Sequence, residues 1–315
     1  MPGTLYSYAR DADGRLPENQ PLIQTVSVKR VNLFLDVVCT SVIETGYPSM
    51  GVITGGAGIG KSAAVRHYMA QMKPLAHTGL PAGLLIIIGP RSTPRALAKS
   101  IVEQLQERPK GRNAIELADE AVEAILANDL KLILFDECNR LNAETFDMLR
   151  HIYDRTGCPM VLVGLPTLLK VIKSQEQFNS RVGKPMVFRP LTSKEVLTTV
   201  LPELQIPRWH YDPKNPDDLE MGSYLVKRVG PSWRNLRQAI QNAAQFAIRK
   251  QEERITLKML RETTKSGGAR HEQYAVEGKA SPDETAGHYE TASENRHAGK
   301  AESKAKANSN EQTEE

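Results

Sequence analysis

Apolar side chains recur at Val31, Leu35, Val38 and Val42, spacings of 4, 3 and 4 that put all four on one face of a helix running from about 27 to 46. Gly46 and Pro48 in "TGYP" are its stop signals. The pattern then changes to short, unbroken apolar runs: "MGVIT" (50–54), "GLLIIIG" (83–89), "KLILFDE" (131–137), "PMVLVG" (159–164) and "PMVFRP" (185–190). Such runs are what a parallel strand buried on both faces requires. Helical patterns separate them, at 63–72, 93–106, 114–128 and 142–157. Pro94 sits in the first turn of the second; Asn142 caps the last, and Gly157 stops it. Strands alternating with helices predict an α/β fold with a parallel, doubly wound five-stranded sheet.

After Pro190 the strands stop. "TSKE" (192–195) is a capping box, Thr192 with Glu195, opening a helix to about Pro202. Helical patterns follow at 216–230, 232–250 and 256–265. The expected organisation is an irregular arm (1–22), an α/β domain (23–190), a small all-helical domain (191–265) and a tail (266–315). The tail is Ala, Ser, Glu, Lys, His and Gly with almost no large apolar residue. It cannot bury enough surface to offset its ordering entropy and is expected to be disordered.

Charge adds an asymmetry. The 315 residues carry a net +4, but residues 266–315 hold 6 Lys/Arg against 10 Asp/Glu, a net of −4, leaving +8 on residues 1–265. A basic body with an acidic tail points toward a polyanionic partner. Cys39, Cys138 and Cys158 form no C-x-x-C or zinc spacing, and free thiols suit a reducing compartment. With no apolar run of 18 residues and no signal-peptide core near the N-terminus, the expectation is a soluble, cytoplasmic protein without a membrane partner.

The chemistry is concentrated at two strand ends. "GGAGIGKS", from Gly55 to Ser62, fits G-x-x-x-x-G-K-[ST] between a strand and a helix. The glycines let backbone N–H groups turn in around phosphates, Lys61 can reach the β/γ-phosphates, and the Ser62 hydroxyl can ligate Mg²⁺. The phosphate-binding set is Gly55, Gly56, Ala57, Gly58, Ile59, Gly60, Lys61, Ser62 and Ala63. Downstream, "LILFDEC" ends a buried strand in two acids. Asp136 suits the Mg²⁺ shell together with Ser62, and Glu137 can polarise a water for attack on the γ-phosphate. The acid pair favours ATP hydrolysis over transfer to a small metabolite.

An α/β nucleotide domain followed by a helical lid is the AAA+ arrangement. Its lid often offers an arginine to the γ-phosphate, and "GPSWRNLRQAI" supplies Arg234 for that role. Arg181, before the fifth strand, suits an arginine finger projected into a neighbour's site. The fourth strand ends in Gly164–Leu165 where such proteins usually carry a polar sensor; the nearest hydroxyl is Thr167.

With these residues the chain resembles the AAA+ regulators of DNA transposition, the TniB, TnsC and phage Mu B proteins. The likeness covers about residues 25–265 and is most specific from Asp136 to Phe188, through "LILFDECNRLNAETFDMLRHIYD", "MVLVGLP" and "FNSRVGKPMVF". The resemblance implies a homo-oligomer, ring or helical filament, that assembles with ATP on duplex DNA and recruits or activates a transposase there, with or without a target-selecting protein. Hydrolysis would drive disassembly. It also implies that the segment between the second and third strands meets the DNA backbone. That segment carries Arg91, Arg95, Lys99, Arg108, Lys110 and Arg112, six positive charges in 22 residues, and such contacts are nearly sequence-blind. Two other readings stay open: a helicase-loader or initiator-like ATPase acting on a replication protein, and a P-loop kinase or signalling ATPase unconnected with nucleic acid.

Overall fold

A computed structural model of the protein describes residues 22–45, 50–90 and 92–265. The N-terminal arm up to residue 21, the stop at Gly46 and Pro48, Arg91 and the tail from 266 lie outside these.

The elements follow in the order α1 (Val26–Thr45), β1 (Met50–Thr54), α2 (Lys61–Gln71), β2 (Gly83–Ile87), α3 (Pro94–Gln104), α4 (Ala114–Ala127), β3 (Leu132–Asp136), α5 (Ala143–Thr156), β4 (Met160–Gly164), α6 (Thr167–Ser174), α7 (Glu176–Asn179) and β5 (Met186–Val187). The sheet is all-parallel, in the order β2-β3-β4-β1-β5. β4 lies between β1 and β3, pairing Thr54 with Gly164 on one side and Phe135 with Leu162 on the other. The C-terminal ends of the strands therefore share one edge, where open α/β sheets bind their ligands.

The apolar runs serve both faces by alternation. Met50, Val52, Ile133, Phe135, Met160 and Leu162 pack with α3, α4 and α5 in one cluster. Ile53, Leu132, Leu134, Val161 and Val163 pack on the other face with Val31, Leu35 and Val38 of α1 and with Ala64 and Val65 of α2. Each large side chain so buried contributes roughly 1.5–3 kcal/mol. The side chain of Val42, expected on the same face of α1, falls outside the description.

One expectation is corrected: the fifth strand is only Met186–Val187, because it pairs with β1 alone at Ile53 and Thr54. The stretch after β4 holds the two short helices α6 and α7. Caps fell as expected: Asn142 accepts from Thr145 N–H, and Gly157 adopts φ 61° at the end of α5.

The C-terminal helices follow: α8 (Ser193–Glu195), running through a π-helical turn at Val196–Val200 into α9 (Leu201–Glu203), then α10 (Pro216–Val229), α11 (Trp233–Arg249) and α12 (Leu257–Lys265). They share their own core, including Val196, Leu201, Leu225, Leu236, Ile240 and Leu260. Glu195 does double duty at its start. It closes the capping box with Thr192 and also accepts the N–H of Val26 at 3.0 Å, joining the first turn of α1 to the helical segment.

Candidate nucleotide site

The loop after β1 is shaped by its glycines. Gly58 and Gly60 adopt φ 71° and 111°, values that L side chains avoid. Gly55 is held for a different reason: a Cβ there would stand 2.6 Å from the Phe188 carbonyl oxygen. Gly60 caps α2, so the helix begins at Lys61, two residues before the sequence pattern suggested, and its free N–H groups open at the sheet edge.

Lys61 is 9% exposed, and its ammonium donates to the carbonyls of Gly55 and Gly56 at 2.7 and 2.6 Å. Burial pushes its pKa down, opposed by the charges of Asp136 and Glu137 facing it. Asp136 is 3% exposed at the end of β3, with its Oδ1 accepting the Glu137 N–H at 2.8 Å. Glu137 itself sits at φ 61°, ψ 33°. A non-glycine residue in this left-handed region carries a cost of about 1–3 kcal/mol, a kind of strain concentrated at functional sites.

These residues meet in a cleft of about 470 Å³. Ala57, Gly58, Gly60, Lys61, Ser62 and Ala63 line one side, and Asp136, Glu137, Asn139, Gly164 and Leu165 the strand ends. The remaining wall is α11, with Trp233, Arg234, Arg237, Gln238 and Gln241. The Arg234 guanidinium lies against Gly58: a Cβ on that glycine would be 3.3 Å from its Cζ. The volume is that of a small-molecule site, and its polar groups are matched to a polyphosphate.

The donor set also fits Mg²⁺. A hydroxyl and a carboxylate, Ser62 and Asp136, are hard oxygen donors on the same cleft. Among the described residues no group of three His, Cys, Asp or Glu could hold a metal unaided.

Residues 44–172 match a family model described as an AAA domain. The fold is that of a P-loop AAA+ ATPase. A "potential ATP-binding protein" of Staphylococcus aureus is 33% identical over 66 residues, 21% of this chain and 24% of that protein, so the chain matches only about a quarter of that relative's length. Among solved structures, the AAA+ fold here is similar to ORC1 of Aeropyrum pernix in complex with DNA (TM-score 0.56, 20% identity, 80% of this chain and 68% of that one). It is similar also to ORC2 of the same organism in its ADPNP–ADP complexes (0.62, 15%, 80% and 70%). Cdc6p of Pyrobaculum aerophilum is a third (0.60, 16%, 79% and 69%).

The other candidate residues lie away from this cleft. Arg181 follows α7 and donates from Nε and Nη2 to the Asp154 carboxylate. Thr167 is exposed at the start of α6 and is not part of the cleft wall. Arg95 and Lys99 are exposed on α3, Lys99 pairing with Glu103 at 3.3 Å. Arg108, Lys110 and Arg112 are exposed in the α3–α4 loop. There the backbone N–H groups of Lys110 and Arg112 donate to Glu120 and Glu116 at 3.0 and 2.6 Å, which orders the loop without using the basic side chains. Asn139 was not anticipated as a cleft residue. Its only sequence signal is its place two residues after the acid pair. Among the described residues no helix is long and apolar enough to cross a membrane.

Proposed function

We propose that the protein is an ATP-hydrolysing AAA+ ATPase whose output is a nucleotide-controlled assembly on duplex DNA, and that this assembly recruits or activates a transposase at its target. The observation that carries the ATPase reading is the meeting of Lys61, Ser62, Asp136, Glu137 and Arg234 in one cleft. In this reading Lys61 and the loop N–H groups bind the β- and γ-phosphates, Ser62 and Asp136 hold Mg²⁺, and Glu137 takes a proton from the attacking water. Mg²⁺, when bound, neutralises charge developing between the β- and γ-phosphates. Arg234 ties α11 to the phosphate loop, so that nucleotide state is felt by residues 191–265, taken as a lid on the domain at 23–190.

The transposition reading rests on the sequence resemblance from Asp136 to Phe188. Support for DNA comes from the exposed basic side chains of α3 and the loop after it. Arg181 is assigned as a finger acting on the neighbouring subunit. A second reading, an initiator or helicase loader, is favoured by the likeness to the ORC and Cdc6 folds, one of them in complex with DNA.

Electron microscopy of the purified protein with duplex DNA, with and without a slowly hydrolysed ATP analogue, tests the proposal. Rings or filaments on DNA that require nucleotide are expected. Nucleotide binding with no DNA-bound oligomer would remove the assembly reading and favour action on a replication protein.

A further inference from the structure

Where β4 ends, the polar side chain expected of a sensor is missing: the strand finishes in Gly164, and Leu165 follows it. The cleft wall at this point does hold one uncharged polar side chain, Asn139, contributed by the turn after β3. Its Oδ1 is buried and accepts no hydrogen bond from any described residue. It rests against Gly164, where a Cβ would stand 3.4 Å from that oxygen. A buried carbonyl without a donor costs about 1–3 kcal/mol and calls for an explanation.

We infer that Asn139 is a catalytic residue of the cleft, the group that orients the attacking water together with Glu137, in place of a polar residue at the tip of β4. This rests on the ATPase reading above. Three features carry it. β4 lies between β1 and β3, so the last residues of the three strands, Thr54, Gly164 and Asp136, share one edge of the sheet, with Thr54 paired to Gly164. Asn139 follows Glu137 by two residues, on a tight 3₁₀ turn closed by the Arg140 N–H to the Glu137 carbonyl at 3.1 Å. One short backbone turn thus carries both side chains at the mouth of β3. Finally, the orphaned oxygen is an acceptor, and a water aligned for attack has two O–H bonds to give: one to the Glu137 carboxylate and one to Asn139 Oδ1. The terminal torsion of an asparagine is broad. Swinging Oδ1 from Gly164 into the cleft breaks no hydrogen bond, because it makes none.

In the step so catalysed, the water oxygen forms a bond to the γ-phosphorus, and its proton passes to Glu137. The bond from that phosphorus to the bridging oxygen breaks, its electron pair leaving on ADP. Asn139 exchanges no proton; it fixes the direction of the lone pair.

The test compares wild type, Asn139→Ala, Asn139→Ser and Thr167→Ala for steady-state ATP hydrolysis, affinity for a fluorescent ATP analogue, and melting temperature. Both Asn139 variants should lose on the order of a hundredfold in kcat, with analogue affinity unchanged. Their melting temperature should not fall, since the oxygen removed has no protein partner. Thr167→Ala should hydrolyse like wild type. Wild-type turnover in both Asn139 variants would overturn the inference and leave the ATPase reading standing. So would a loss of turnover matched by a loss of affinity or of melting temperature, which would make Asn139 a binding or structural residue. A wild-type protein that binds the analogue but hydrolyses no ATP would remove both.

Discussion

Arg181 and Asp154 form a two-pronged ion pair, Nε to Oδ1 at 2.5 Å and Nη2 to Oδ2 at 2.7 Å. The hydrogen bonds to Asp154 raise the arginine's pKa further, so it is a cation at any accessible pH. The pair anchors the segment after α7 to the end of α5, and it keeps the proposed finger engaged within its own subunit. Action on a neighbour requires this pair to open. Arg181→Ala should lower DNA-stimulated ATP hydrolysis on the order of a hundredfold or more with ATP binding intact. Mixing it with an Asp136-defective subunit should restore turnover; no rescue at any ratio would count against action between subunits. Asp154→Ala should raise turnover at low protein concentration and cost no more than about 1 kcal/mol of stability, because the pair is partly solvated.

Lys61→Ala removes the one buried ammonium of the cleft. Charge-assisted hydrogen bonds contribute about 1.5–3 kcal/mol each, so nucleotide affinity should fall at least ~100-fold. Nucleotide-dependent assembly on DNA should disappear with it. Fluorescent-nucleotide titration and microscopy check the two parts, and assembly that still responds to ATP would overturn the loop assignment.

Glu137→Gln keeps the shape and the φ of 61° but loses the base. Turnover should fall by roughly 10²–10⁴ while ATP binding persists, leaving assemblies that do not release DNA. Rapid turnover in this variant would mean that another group takes the proton. Glu137→Gly should be equally inactive yet melt no lower than Glu137→Gln, since glycine relieves the backbone cost at this position.

Glu195 links the capping box to α1. Burial alone would raise its carboxyl pKa, but the N–H groups of Thr192 and Val26 and the Thr192 hydroxyl hold it below the ordinary value. A depressed folded-state pKa stabilises above the unfolded value and is lost as pH falls through the folded one. Glu195→Ala should therefore cost about 1 kcal/mol at pH 7. The difference in melting temperature from wild type should shrink below about pH 4.3. A gap that stays constant down to pH 3 would show that the carboxylate charge is not what matters.

Replacing Arg108, Lys110 and Arg112 together by Ala should weaken duplex binding alike for all sequences and lower the slope of log K against log salt by about 3. Nucleotide affinity should not change. An unaltered slope would put the DNA contact elsewhere.

Local chemistry was legible without the fold. Strand and helix periods, the caps at Asn142, Thr192 and Gly157, and the phosphate loop each depend on residues within a few positions of one another, so the sequence determined them. What it left open depends on pairing between distant segments. The insertion of β4 between β1 and β3 brings Gly164 beside Thr54 and within reach of Asn139, and no local pattern encodes that order. The fifth strand reads as six apolar-rich residues, but only the two that meet β1 form a ladder. Arg234 and Arg181 read alike, as arginines near helix or strand ends. Tertiary packing separates them, laying one against Gly58 in the cleft and the other against Asp154 outside it. Sequence spells out the chemical groups and their local geometry. Which of them share a cleft is decided by how the sheet and helices close around their cores, where burial rewards contacts between residues more than a hundred positions apart.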